Sequence, residues 1–123
     1  MKVLVADDEL GLRNFISAVL KDEGHDVVTA NDTQRTLQML SAENPDLLIL
    51  DMMMPGSSGQ EVVRRIDEEL GLRRMPMILM NPVGHQHWLP DDHAPANVLP
   101  KPFNVHGLMS TVNTMAQRRP SVS

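Results

Sequence analysis

The sequence predicts an α/β fold in which a doubly wound, five-stranded parallel sheet carries helices on both faces. Three observations lead there. Short aliphatic runs alternate with stretches whose apolar residues recur every three or four positions, the pattern of strand and helix units joined by right-handed crossovers. The run Leu47 to Leu50 is four large aliphatic residues in succession, which reads as a strand covered on both faces, and it stops at Asp51 ahead of Pro55 and Gly56. A second run, Lys2 to Ala6, ends in the same way at Asp7 and Asp8. A lone acid after a strand ordinarily only ends it. In an open parallel sheet, however, ligands bind outside the carboxyl ends of the strands, and here three acids are delivered to that edge.

Taken in order, Lys2 to Ala6 is the first strand. Between Glu9 and Glu23, the residues Leu12, Phe15, Ile16, Val19 and Leu20 form one apolar stripe of a helix, which Gly24 ends. His25, beside that glycine, is read as a partner for the helix C-terminal dipole. The β-branched stretch Asp26 to Ala30 is the second strand. Asn31 and Asp32 can cap a second helix carrying Leu37 and Leu40, closed by Asn44 and Pro45 before the central strand. Ser57 or Ser58 caps a third helix with Val62, Val63, Ile66 and Leu70 inward, and Gly71 marks its end. Met75 to Met80 reads as the fourth strand, broken by Asn81 and Pro82. Five of nine prolines fall between positions 82 and 102, so a fourth helix is confined to about 83–89. Asn97 to Pro100 is a short fifth strand, and Asn104 to Gln117 a last helix with Leu108, Val112 and Met115 inward. One domain over 1–117 and a disordered tail over 118–123 account for the 123 residues.

Composition narrows the function. The chain is 41% hydrophobic and 22% charged, and no apolar run approaches the roughly 20 residues that cross a bilayer, so no membrane role is expected. The absence of Cys excludes disulfides and thiolate metal sites and leaves the cytoplasm as the expected location. A net charge of -5 opposes nucleic-acid binding by this domain alone. His85, His87 and His93 with Asp91 and Asp92 match no metal-ligand spacing and read as a solvated loop. Trp88 reads as a packing anchor in the same stretch, and His106 as a solvent-facing residue of the last helix.

If the first and third strands are neighbours, Asp7, Asp8 and Asp51 meet. Three carboxylates that close repel one another, so one is protonated or a cation holds them. Oxygen donors without Cys or His favour Mg²⁺. Lys101, set between Pro100 and Pro102 after the last strand, is a further charge candidate.

These residues resemble a known family. Asp7 and Asp8, then Asp51 followed by Met54, Pro55 and Gly59, then Lys101 with Pro102, are similar to the signature of the response-regulator receiver domain, the phospho-acceptor half of two-component signalling. The likeness runs from Lys2 to about Ala116. It implies a flavodoxin-like, CheY-like sheet in the order 2-1-3-4-5, which brings Asp7, Asp8 and Asp51 to the topological switch point. It further implies that Asp51 accepts a phosphoryl group from a histidine kinase or phosphotransfer protein. Asp8, Asp51 and the Met53 carbonyl would hold Mg²⁺, with Asp7 acting through water and Lys101 charging the same oxygens. Such a chain is a switch with at most its own dephosphorylation as activity. It signals to a downstream protein through the fourth helix, fifth strand and last helix, here the 82–108 region. The Lys101 to Pro102 bond is cis in this family.

Departures concentrate near position 81. Asn81 stands where the family has Thr or Ser, whose hydroxyl meets the phosphoryl group; Pro82 offers no N–H there; and Val98 replaces a switching aromatic. These changes favour an alternative, a phosphorylation-independent interaction module of the same fold. A phosphatase with an Asp nucleophile is opposed by Met53, which stands where such enzymes carry a second Asp.

Overall fold

Alternate residues of a strand face opposite sides, so a strand apolar at every position must be covered twice. The computed structural model, which describes residues 1–56, 58–72, 75–82 and 96–118, shows this for β3 (Leu47–Asp51), buried throughout. Leu48 and Leu50 join Leu4, Ala6, Met77 and Leu79 on one face, against Leu40, Val62, Val63 and Ile66. Leu47 and Ile49 join Val3, Val5, Ile78 and Met80 on the other, against Ile16, Leu20, Leu108, Val112 and Met115. The elements carrying them are β1 (Lys2–Ala6), α1 (Leu10–Asp22), β2 (Asp26–Ala30), α2 (Thr33–Glu43), α3 (Gly59–Glu69), β4 (Met77–Pro82), β5 (Ala96–Lys101) and α4 (Val105–Arg118). All strand pairs are parallel, in the order β2-β1-β3-β4-β5. The sheet therefore has α2 and α3 on one side and α1 and α4 on the other, as expected.

Local chemistry sets the helix ends. The Asp32 carboxylate accepts from the Arg35 N–H at 2.7 Å and starts α2; the Ser58 hydroxyl accepts from the Glu61 N–H at 3.2 Å and starts α3. Asn44, at φ 46, closes α2 in the left-handed region. Gly59 sits where the chain turns back over β3: its N–H donates to the Met52 carbonyl at 3.1 Å, and an added Cβ would first clash with Met52 Sδ and then lie 2.7 Å from Met52 Cα. Because the second clash is with backbone, no rotamer relieves it. Gly59→Ala is expected to destabilise the fold by about 1–3 kcal/mol, read as a lower urea midpoint. An unchanged midpoint would show that this turn yields freely.

Four expectations are corrected. The fourth strand does not break at Asn81 and Pro82: β4 begins at Met77 and includes both, paired with Pro100 and Lys101 of a longer β5. Pro82 is tolerated because it is the last residue of the strand, where a missing N–H interrupts nothing beyond it. In α1, Phe15 is exposed while Ser17 is buried, because the sheet-facing line runs through Ile16 and Leu20. The His25 ring does not cap α1. Its Nδ1 lies 3.2 Å from the Met1 amino group, brought there by the Lys2 to Asp26 register, while its backbone N–H donates to the Leu20 carbonyl. The last helix spans Val105–Arg118 rather than 104–117. The expected helix at 83–89, the readings of His85, His87, Trp88 and His93, the Ser57 cap and all but the first residue of the expected tail lie outside the described residues.

Candidate functional site

Parallel pairing of β1 with β3 puts Ala6 beside Leu50, so the next residues along each strand, Asp7 and Asp51, emerge together. Asp7 is fully buried. Its N–H stays in the ladder with the Ala30 carbonyl at 3.1 Å, its Oδ1 accepts from the Glu9 N–H at 2.8 Å, and its Oδ2 accepts from Lys101 Nζ at 3.0 Å. Asp51, 3% exposed, accepts from the Met53 N–H on Oδ1 at 2.9 Å, with Lys101 Nζ 3.6 Å from the same oxygen. Asp8 is exposed, and one carboxylate oxygen from each of Asp7, Asp8 and Asp51 lies within 4.8 Å of the others.

This crowding is electrostatically uneasy. The Asp51 pKa is pushed up from 3.8 to about 6: burial is the main cause, the Asp7 charge and a hydrogen bond with Asp8 add to it, and the Met53 N–H and Lys101 oppose it. Lys101 is partly desolvated, which lowers its pKa, yet its hydrogen bond to Asp7 and the nearby Asp51 and Asp7 charges outweigh that and raise it. One ammonium thus pairs with two of the three clustered carboxylates. The residual negative charge, the oxygen-only donors and an exposed Asp8 at the mouth fit a hard divalent cation such as Mg²⁺.

Asp7, Asp8, Asp51 and Lys101 therefore gather at one edge of the sheet. Met53 is exposed, and its backbone is tied to Asp51. Asn81, 4% exposed, lies in β4 one position beyond Met80, the register partner of Asp51, and one before the strand's end. Val98 is partly buried against the core on the α2 and α3 side, and the Lys101 to Pro102 bond is cis. A cleft of 380 Å³ opens beside the site, lined by Glu9, Leu12, Lys101, Pro102 and Phe103. Sequence reasoning missed Arg13, whose Nη1 donates to the Asp7 carbonyl at 2.8 Å. The available signal was a basic residue one turn into the helix that follows the acidic strand end.

Residues 3–113 match the model of the response regulator receiver domain family. Over 96% of its length the chain is 32% identical to response regulator RR06 of Streptococcus pneumoniae, spanning 54% of that protein, so it covers about half of this curated relative. Among solved structures it is similar to chemotaxis response regulator CheY4 of Vibrio cholerae, with 27% identity and a TM-score of 0.79 over 93% of this chain and 97% of that one. It is also similar to a response regulator receiver domain protein of Clostridium thermocellum, with 27% identity and a TM-score of 0.83 over 95% and 94% of the two chains. Strand order, acid cluster and family match agree: the chain belongs to the response regulator receiver domain family of two-component systems.

Proposed function

We propose that this receiver accepts a phosphoryl group on Asp51 from a phosphohistidine of a kinase or phosphotransfer protein. The observation that carries the reading is the meeting of Asp7, Asp8 and Asp51 within 4.8 Å, with Lys101 Nζ at 3.0 Å from Asp7 and 3.6 Å from Asp51. A carboxylate oxygen of Asp51 attacks phosphorus, the P–N bond to the donor imidazole breaks, and the electron pair leaves with the imidazole nitrogen. The Met53 N–H orients the Asp51 carboxylate, and Lys101 offers a fixed positive charge to the incoming oxygens. Asp8, Asp51 and the Met53 carbonyl are the groups that would hold Mg²⁺, with Asp7 behind them. When bound, the ion supplies charge stabilisation to phosphoryl oxygens that gain charge during transfer.

Asn81 and Pro82 bear on the phosphorylated state rather than on transfer itself. A charge-assisted hydrogen bond to the phosphoryl group is worth about 1.5–3 kcal/mol, so the missing Pro82 N–H weakens the phosphorylated active state by about 10- to 100-fold. Signalling through the 82–108 region to a downstream protein is accordingly weakly coupled to the phosphoryl group.

The test is incubation with a small acyl phosphate donor and Mg²⁺, followed by intact mass. Wild type is expected to gain one phosphoryl group, while Asp51→Asn, or wild type in a chelator, gains none. Label retained on the Asn variant, or none on wild type, would refute the proposal. In the same samples, amide shifts over 97–108 should stay small beside those at 51–53; equal shifts would refute weak coupling.

A further inference from the structure

We infer that Arg13 is a positioning residue for the divalent-ion site, aiming the Asp8 carboxylate by gripping the peptide plane that joins Asp7 to Asp8. The inference rests on the reading of the acid cluster as an ion site. Asp8 is exposed and lies two positions beyond the end of β1, where no strand neighbour fixes its direction. Apart from its side-chain hydrogen bond with Asp51, its placement comes from the backbone that carries it.

That backbone is held at three points. Asp7 N–H is tied to the Ala30 carbonyl of β2, and the Glu9 N–H is tied to Asp7 Oδ1. The third is the Asp7 carbonyl, which accepts from Arg13 Nη1 at 2.8 Å. A peptide bond is planar, so the Asp7 carbonyl and the Asp8 nitrogen and Cα turn as one rigid unit. Holding the carbonyl therefore fixes the Asp8 N–Cα bond, and the Glu9 N–H bond to Asp7 Oδ1 limits rotation about it, so the two together set where the Asp8 side chain springs from. Arg13 is itself partly buried and lies in α1, whose Ile16 and Leu20 are packed into the core, so the grip is anchored to a rigid element.

Charge and positioning make opposite predictions, which renders the role testable. If Arg13 acts only as a nearby cation, its removal relieves repulsion toward an incoming divalent ion and tightens binding. If it positions Asp8, its removal loosens a ligand and weakens binding, as losses of supporting hydrogen bonds around metal sites do.

The experiment is calorimetric Mg²⁺ titration of the full chain as wild type, Arg13→Gln and Arg13→Lys, with amide spectra of the metal-free proteins. Arg13→Gln is expected to bind Mg²⁺ about tenfold more weakly, with displaced Asp8 and Glu9 amide resonances, whereas Arg13→Lys, which keeps a charged donor, stays within about threefold of wild type. Unchanged or tighter binding by the Gln variant overturns the inference. Absence of Mg²⁺ binding by wild type instead overturns the ion-site reading beneath it. Should the Gln variant not fold, the metal-free wild type decides: slowed rotation and exchange of the Arg13 guanidinium support the grip, and a freely rotating guanidinium overturns it.

Discussion

Asp51→Asn is expected to stabilise the metal-free protein above pH 6 while removing the proposed phosphoryl acceptor. In the folded chain the Asp51 pKa is raised from 3.8 to about 6, chiefly by burial. Between those values the folded state holds a proton that the unfolded state has released, so stability falls as pH rises through that window. Below it both states are protonated and the group contributes no difference. Above it the folded chain carries the whole penalty of an ionised, buried carboxylate, a shift of about two units or on the order of 3 kcal/mol. Asn has the shape without the charge, so the variant escapes the penalty and its stability gain appears only on the alkaline side. Urea midpoints of both proteins in chelator, at about pH 4 and about pH 8, measure this. Equal differences at the two values would mean that burial of Asp51 charge is not what strains the site. Saturating Mg²⁺ should erase most of the wild-type deficit, because a ligand bound only by the folded state stabilises it.

Lys101→Met acts in the opposite direction. Asp7 is wholly buried, and Lys101 Nζ at 3.0 Å is its cationic partner, while the Glu9 N–H serves its other oxygen. Removing one member of such a pair leaves a buried charge without its counter-charge, a loss usually put at 3–5 kcal/mol. Lys101 is 22% exposed, so some water already reaches its end of the pair, and about 3 kcal/mol is expected at neutral pH. The variant should also accept phosphoryl groups more slowly, since a fixed positive charge beside Asp51 is gone. A urea midpoint within error of wild type would show the pair to be solvent-screened and of little structural consequence.

The parts of this molecule that could be read from its sequence share one property: each is decided by residues close together in the chain. Leu47 to Leu50 had to be a covered strand whatever lay around it, and Val62, Val63 and Ile66 had to share a helix face. The acids at 7, 8 and 51 and Lys101 were found because strand ends are easily located and the family signature names them. Features set by neighbours distant in sequence were not legible. Pro82 looks like a strand breaker until Lys101 of β5 is seen beside it. His25 looks like a helix partner until the sheet register brings the Met1 amino group to it. The Arg13 contact joins a side chain to a backbone carbonyl six residues earlier, a bond that leaves no trace in apolar periodicity.

Asp51, the proposed acceptor, terminates β3, which has a parallel neighbour on each edge and side chains packed over both faces. Such a strand opens only when the whole chain does. It is a fulcrum rather than a lever: the phosphoryl group proposed to arrive at its tip would find no slack to take up along the strand that bears it. Whatever displacement a signal requires must be spent sideways, in the turns that follow β1, β3 and β5.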